Sequence, residues 1–139
     1  MKDVIARIAR LRELQARMAQ AERAKAQLHL DEAVQVESSW REQLMDANTS
    51  AALLGGDAVG RGHFALNGEM RRRQAQGEVD RLQGVLDQHT EQVMLREREQ
   101  KVAERLVERR QARRRAEAQR KEQAELDELA RNGWFRRET

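Results

Sequence analysis

Proline is absent from this chain of 139 residues. No position therefore forces a helix to end by losing a backbone donor or by clashing with the preceding turn. Glycine is the remaining helix breaker, at about 1 kcal/mol per residue relative to alanine, and five of the eight glycines lie within residues 55–68. We expect a single domain in which a first helix (2–53) and a second helix (69–131) flank a glycine-rich tip loop (54–68), with a C-terminal tail (132–139).

The first arm has apolar or small residues in helical steps of three and four, with gaps near residues 25 and 32. A mean step near 3.6 predicts that these residues share one buried face of the helix. This stripe comprises Val4, Ile8, Leu11, Leu14, Met18, Ala21, Leu28, Val36, Trp40, Leu44, Ala47, Ala51 and Leu54.

The second arm shows a strict alternation of steps of three and four, the heptad spacing of a left-handed coiled coil. Its members are Val79, Leu82, Leu86, His89, Val93, Arg96, Gln100, Ala103 and Val107. The polar members weaken the seam and fix its register.

The two stripes face each other if the chain folds back about a tip near residue 61. Trp40 then lies opposite Leu82, and Leu28 lies opposite Val93. The predicted fold class is therefore all-α, a long antiparallel two-helix coiled-coil hairpin.

Charge and composition argue against several classes of function. The 27 basic and 24 acidic side chains are interleaved, as expected for solvated helix faces. Cysteine is absent, the three histidines have no metal-ligand spacing, and the acidic pairs lie on solvated faces. We predict no enzyme activity, no metal and no cofactor. With no signal peptide and no apolar run of about 20 residues, we expect a cytoplasmic protein without direct membrane insertion.

The basic segment from Arg105 to Lys121 invites a nucleic-acid hypothesis, since the isoelectric point is about 9.9. Acidic residues interrupt this segment, and its basic groups surround the helix. Specific nucleic-acid binding is therefore disfavoured. A generic coiled-coil scaffold or adaptor protein that self-associates through exposed helix ends is an open alternative.

The two ends of the predicted hairpin differ. Trp40 and Phe64 lie near the glycine-rich tip, in a chain with only 3% aromatic residues. At the open end, residues 108–125 contain no apolar side chain larger than alanine, and Leu126, Leu129 and Trp134 lack a partner in the first arm. We interpret the open end as a surface for another protein, although alanines packed against Val4 and Ile8 would also fit.

Two motifs in the second arm carry a family resemblance: LVERR at residues 106–110 and EQAELDELA at residues 122–130. They resemble the C-terminal pattern of FliJ, the stalk protein of the flagellar type III export apparatus, and of its YscO-type counterparts in virulence secretion. Alanine stands at position 124, where lysine is usual. The SWREQL stretch at residues 39–44 is similar to one late in the family's first helix.

The resemblance implies a helical hairpin that acts as the central stalk of a protein export apparatus. It implies docking into a hexameric export ATPase, promotion of that ATPase's assembly and activity, and contact with an export gate protein, with export chaperones as further partners. The implied ATPase-contact residues are Ile5, Ile8, Arg109, Arg113 and Asp127. The implied gate-contact residues are Val36, Trp40 and Phe64.

Overall fold

The computed structural model describes residues 4–54 and 58–138, with side chains except those at residues 50–54, 58, 59, 61 and 135–138. Two α-helices account for these residues: α1 (Val4–Leu54) and α2 (Ala58–Glu138). The helices pack against each other as an all-α hairpin, which confirms the predicted fold class.

The predicted tip loop is too long. Helix α2 begins at Ala58, so residues 58–68 are helical, and residues 55–57 lie outside the described residues. Packing provides the physical reason: Ala65 is half-buried, and Gly68 is buried against Leu44 of α1. Helix α2 also continues through the predicted tail to Glu138. The first two residues of the predicted first helix lie outside the described residues.

The α2 seam is confirmed. All nine residues from Val79 to Val107 that the heptad spacing selects are buried or half-buried. The same steps extend the seam backwards through Ala75, Arg72, Gly68 and Ala65.

The α1 seam differs from the predicted stripe over most of its length. The buried face follows a strict heptad of its own, and six of its thirteen members are alanine. All except Arg23 are buried or half-buried: Ile5, Ala9, Arg12, Ala16, Ala19, Arg23, Ala26, Leu30, Ala33, Glu37, Trp40, Leu44 and Ala47. The larger apolar residues of the predicted stripe are exposed instead: Val4, Ile8, Leu11, Leu14, Met18, Leu28 and Val36. Only Trp40, Leu44 and Ala47 belong to both sets.

Complementary side-chain size explains this choice of face. Leu86 of α2 packs with Ala26 and Leu30 of α1, and Leu82 and Val79 pack against the same cluster. Small residues on one helix leave room for large residues on the other, which allows the side-chain layers to interdigitate. A stripe of large residues on both helices would hold the axes apart.

The register between the helices is also shifted from the prediction. Trp40 lies beside Arg71 rather than Leu82, and Glu37 pairs with Arg72. The shift follows from the early start of α2, because a shorter connection pairs each α1 residue with an earlier residue of α2.

The hairpin contains two compact units. The tip unit comprises Gln15–Arg96, and the terminal unit comprises Met1–Leu14 together with Glu97–Thr139. Each unit contains a segment of both helices. In the part of the chain that the structure describes, neither helix is long and apolar enough to span a membrane.

Candidate docking surfaces

An aromatic pocket lies on the tip unit. Trp40 is half-buried at a seam position, and the Arg71 guanidinium carbon lies 5.2 Å from the centre of its ring. This distance is within the range of a cation–π interaction, which holds the indole in place. The pocket has a volume of about 400 Å³ and is lined by Trp40, Gln43, Leu44, His63, Phe64, Asn67, Gly68 and Arg71.

Gly68 brings the two helices close together at this pocket. A methyl group at its Cα would overlap the Leu44 Cδ2 atom and lie 3.3 Å from Leu44 Cγ. Leu44 therefore occupies the space that a larger residue at position 68 would need. The glycine that predicted a loop is instead a packing residue within a helix.

A charged cluster lies in the seam beside the pocket. The Glu37 carboxylate is buried, with 5% of the residue exposed. It accepts a hydrogen bond from Arg41 at 2.7 Å and lies 3.5 Å from the Arg72 guanidinium. Since a buried carboxylate needs charge-assisted partners, the two arginines stabilise Glu37 at this position.

Glu69 shares Arg72 with Glu37. Arg72 donates hydrogen bonds of 3.0 and 2.9 Å to the two oxygens of Glu69, and Arg73 donates a third at 3.4 Å. The bonds from Arg72, with its positive charge, lower the pKa of Glu69 from 4.5 to about 2, and the bond from Arg73 acts in the same direction. Arg72 therefore connects Glu69 of α2 with Glu37 of α1.

The predicted gate-contact residues are partly brought together. Trp40 and Phe64 line the same pocket, and Phe64 is 54% exposed. Val36 is exposed but does not line the pocket. Sequence reasoning missed Arg71 and Gly68, because they become neighbours of Trp40 only in the observed register.

An apolar groove lies on the terminal unit. It has a volume of about 310 Å³ and is lined by Ile8, Arg12, Arg98, Glu99, Val102, Ala103 and Leu106. Arg12 donates a 2.9 Å hydrogen bond to Glu99 across the seam, which joins the two helices at the groove. Ile8, Val102 and Leu106 are exposed, so an apolar surface faces solvent here.

The C-terminal part of α2 adds a second exposed surface to this unit. Every residue from 111 to 134 is exposed, including Leu126, Leu129 and Trp134. Among the predicted ATPase-contact residues, Ile8, Arg109, Arg113 and Asp127 are exposed, and Asp127 accepts a 3.1 Å hydrogen bond from Gln123. Ile5 is half-buried in the seam, where it supports the helix contact.

Neither surface resembles a metal centre. Within residues 4–54 and 58–138, no three His, Cys, Asp or Glu side chains are grouped to hold a metal ion. The exposed features are apolar, aromatic and basic, which are properties of surfaces that bind other proteins.

Comparison with known proteins is consistent with a protein that works by binding other proteins. The family model described as flagellar FliJ protein matches residues 5–139, nearly the whole chain. The chain belongs to the FliJ family. The match extends over both units, so the tip pocket and the terminal groove are parts of one FliJ-type flagellar export stalk protein. No curated protein and no solved structure matches the chain.

Membership of the FliJ family makes the protein a component of the flagellar export apparatus and places it in protein transport. The family is one of structural stalk proteins rather than of known enzymes.

Proposed function

We propose that this FliJ-family protein is the central stalk that docks into the hexameric export ATPase, promotes its assembly and activity, and links it to the export gate. The observation that carries the proposal is the exposed surface of the terminal unit. Ile8, Val102 and Leu106 form an apolar groove, and beyond it every α2 residue from 111 to 134 is exposed.

The terminal unit has the chemistry for insertion into a protein ring. Its apolar groove offers area to bury, while Arg109, Arg113 and Asp127 offer charges of both signs on exposed helix. Exposed ion pairs contribute at most about 1 kcal/mol each. Contacts of this strength form and break as the subunits of a ring change nucleotide state, without trapping the stalk.

Asymmetry gives such a stalk its effect on the ATPase. A two-helix stalk inside a six-fold ring contacts the six subunits unequally. A ligand shifts an equilibrium only through its differential affinity for the states involved, so unequal contacts favour particular nucleotide states and the assembled ring. The stalk itself hydrolyses nothing and needs no cofactor.

The tip pocket is the proposed contact for the export gate. Trp40 and Phe64 present aromatic surface next to Arg71, and aromatic and arginine side chains dominate the binding energy of many interfaces. Val36 lies on an exposed face of the same unit and extends the contact. The protein then works in the cytoplasm beside the membrane-embedded apparatus, with export chaperones as further partners.

The stalk proposal is tested with the purified cognate ATPase. Adding the protein should raise ATP hydrolysis and the fraction of hexamer, and the double variant Arg109→Glu with Arg113→Glu should lose most of this effect. Arg115→Glu is the matched control, because position 115 is exposed on another side of α2. Equal ATPase activity and hexamer content with and without the protein would refute the proposal.

The gate contact is tested separately with the purified cytoplasmic part of the gate protein. Trp40→Ala and Phe64→Ala should weaken binding to the gate while stimulation of the ATPase is retained. Met70→Ala is the control, since Met70 is exposed on the tip unit but does not line the pocket. Unchanged gate binding in both pocket variants would place the contact elsewhere.

A further inference from the structure

The lining of the tip pocket has a chemistry that an apolar contact alone does not require. Trp40 and Phe64 supply aromatic walls, and Arg71 supplies a positive charge. Among the described residues that line the pocket, none is acidic. The remaining polar side chains are Gln43, His63 and Asn67. The pocket therefore combines apolar surface with a positive charge that no described lining residue cancels.

Arg71 differs from the arginines of the charged cluster beside the pocket. Each of those three arginines lies at 3.4 Å or less from a carboxylate of the cluster. Arg71 instead lies over the Trp40 ring and, among the described side chains, pairs with no carboxylate. The cluster has three arginines for two carboxylates, so it adds positive charge beside the pocket.

The contact with Trp40 leaves Arg71 able to bind an anion. The residue is exposed, and its guanidinium group has five N–H donors, which a single ring contact does not all engage. A carboxylate matches this group best, because two parallel N–H···O bonds can form at once. The indole also restrains the arginine, so less conformational entropy is lost when a carboxylate binds.

We propose that the tip pocket binds a segment of a partner protein in which an apolar side chain stands beside a carboxylate, and that Arg71 selects this segment. The apolar side chain packs against Trp40 and Phe64, while the carboxylate accepts hydrogen bonds from Arg71. The pocket volume of about 400 Å³ lies within the range of sites that hold small ligands, roughly 300–1,000 Å³, so two neighbouring side chains fit. A basic segment would be repelled by Arg71 and by the excess charge of the cluster.

Only the identity of the partner rests on the proposed function. There the tip pocket contacts the export gate, so the gate protein is the expected carrier of the acidic segment. The chemistry of the pocket can be tested without the gate protein.

Three short blocked peptides are suitable probes for the full-length protein, with glutamate, glutamine or lysine between two leucines. Binding is followed by NMR through the indole N–H signal of Trp40, and Trp134 in the terminal unit serves as the internal control. The glutamate peptide should bind about three- to tenfold more tightly than the glutamine peptide, as expected for a charge-assisted hydrogen bond at a partly exposed site. The lysine peptide should bind most weakly.

Arg71→Gln should abolish the preference for glutamate and leave the affinity for the glutamine peptide unchanged. A variant that merely loosened Trp40 would weaken both peptides, so the glutamine peptide separates the two effects. Arg73→Gln is the matched control, because Arg73 is exposed close to Arg71 but does not line the pocket. Equal affinities for the glutamate and glutamine peptides, a preference for lysine, or no shift of the Trp40 signal would overturn the proposal.

The same variants then test the partner, with the purified cytoplasmic part of the gate protein. Arg71→Gln should weaken gate binding about three- to tenfold and reduce its dependence on salt, whereas Arg73→Gln should not. Gate binding that is equal in wild type and Arg71→Gln would keep the gate contact and overturn the role of Arg71 in it. Peptide selectivity without gate binding would keep the pocket chemistry and refute the proposed gate contact.

Discussion

Arg72 serves two carboxylates at once. It lies at a seam position of α2, bonds Glu69 on its own helix through both carboxylate oxygens, and reaches the buried Glu37 of α1. Arginine suits this position because its planar guanidinium donates in several directions and stays charged. The cluster therefore connects local helix contacts with the pairing of the two helices.

The low pKa of Glu69 can be measured directly. By carboxyl NMR titration, Glu69 should titrate near 2, compared with an ordinary value of 4.5. Because the folded-state pKa is depressed, the stabilising contribution of this ion pair is complete above about pH 4.5 and is lost as the pH falls toward 2. Arg72→Gln should move the pKa of Glu69 upward. The pKa of Glu78, which Arg81 lowers, should not change in that variant.

Gly68 and Gly77 offer a matched pair of glycine substitutions. Alanine is favoured over glycine within a helix by about 1 kcal/mol, and a side chain at Gly77 would meet nothing within 4 Å. Gly77→Ala should raise the free energy of unfolding by about 0.5–1 kcal/mol. Gly68→Ala should show no gain or a loss, because Leu44 must move. An equal gain at both positions in urea denaturation would contradict the close approach of the helices at Gly68.

At the scale of elements, the seam of α2 was predictable from sequence, whereas the bounds of α2 were not and the buried face of α1 was predicted only in part. Large apolar residues mark the α2 seam at strict heptad spacing, so pattern and hydrophobicity agree. In α1 they disagree: the regular heptad belongs to alanines, and the large residues form a less regular stripe. Choosing by side-chain size selected the wrong face, although the strict spacing was visible. The pairing of Trp40 with Arg71 was not predictable, because it depends on where α2 begins.

Leu30 and Leu28 test which face of α1 is buried. Leu30 is 6% exposed against Leu86, whereas Leu28 is 61% exposed. Leu30→Ala should lower the free energy of unfolding by about 2–3 kcal/mol, at the low end for leucine in a core because a two-helix seam is thin. Leu28→Ala should change it by less than about 0.5 kcal/mol. If chemical denaturation showed a larger loss of stability for Leu28→Ala than for Leu30→Ala, the stripe of large residues would be the buried face of α1.

At the scale of the whole molecule, the proposed contacts belong to different units. The aromatic pocket lies in the tip unit and the apolar groove in the terminal unit. The two surfaces share no lining residue, so a substitution in one removes no group from the other. Loss of gate binding and loss of ATPase stimulation should therefore be separable in single variants, which a protein with one shared binding surface would not allow.

Hydrogen exchange should show how the stability of the hairpin varies along α2. Amides near Leu86 lie opposite the buried Leu30 and should exchange slowest, while residues 111–134, exposed throughout, should exchange fastest within the described helix. Most of the stability of a helix in a protein comes from tertiary packing, which this exposed segment lacks, so it opens locally without global unfolding. In dilute protein, adding the export ATPase should slow exchange in residues 111–134 and leave the amides near Leu86 unchanged. Uniform exchange along α2 in dilute protein would mean that contacts other than the α1 seam hold the C-terminal segment.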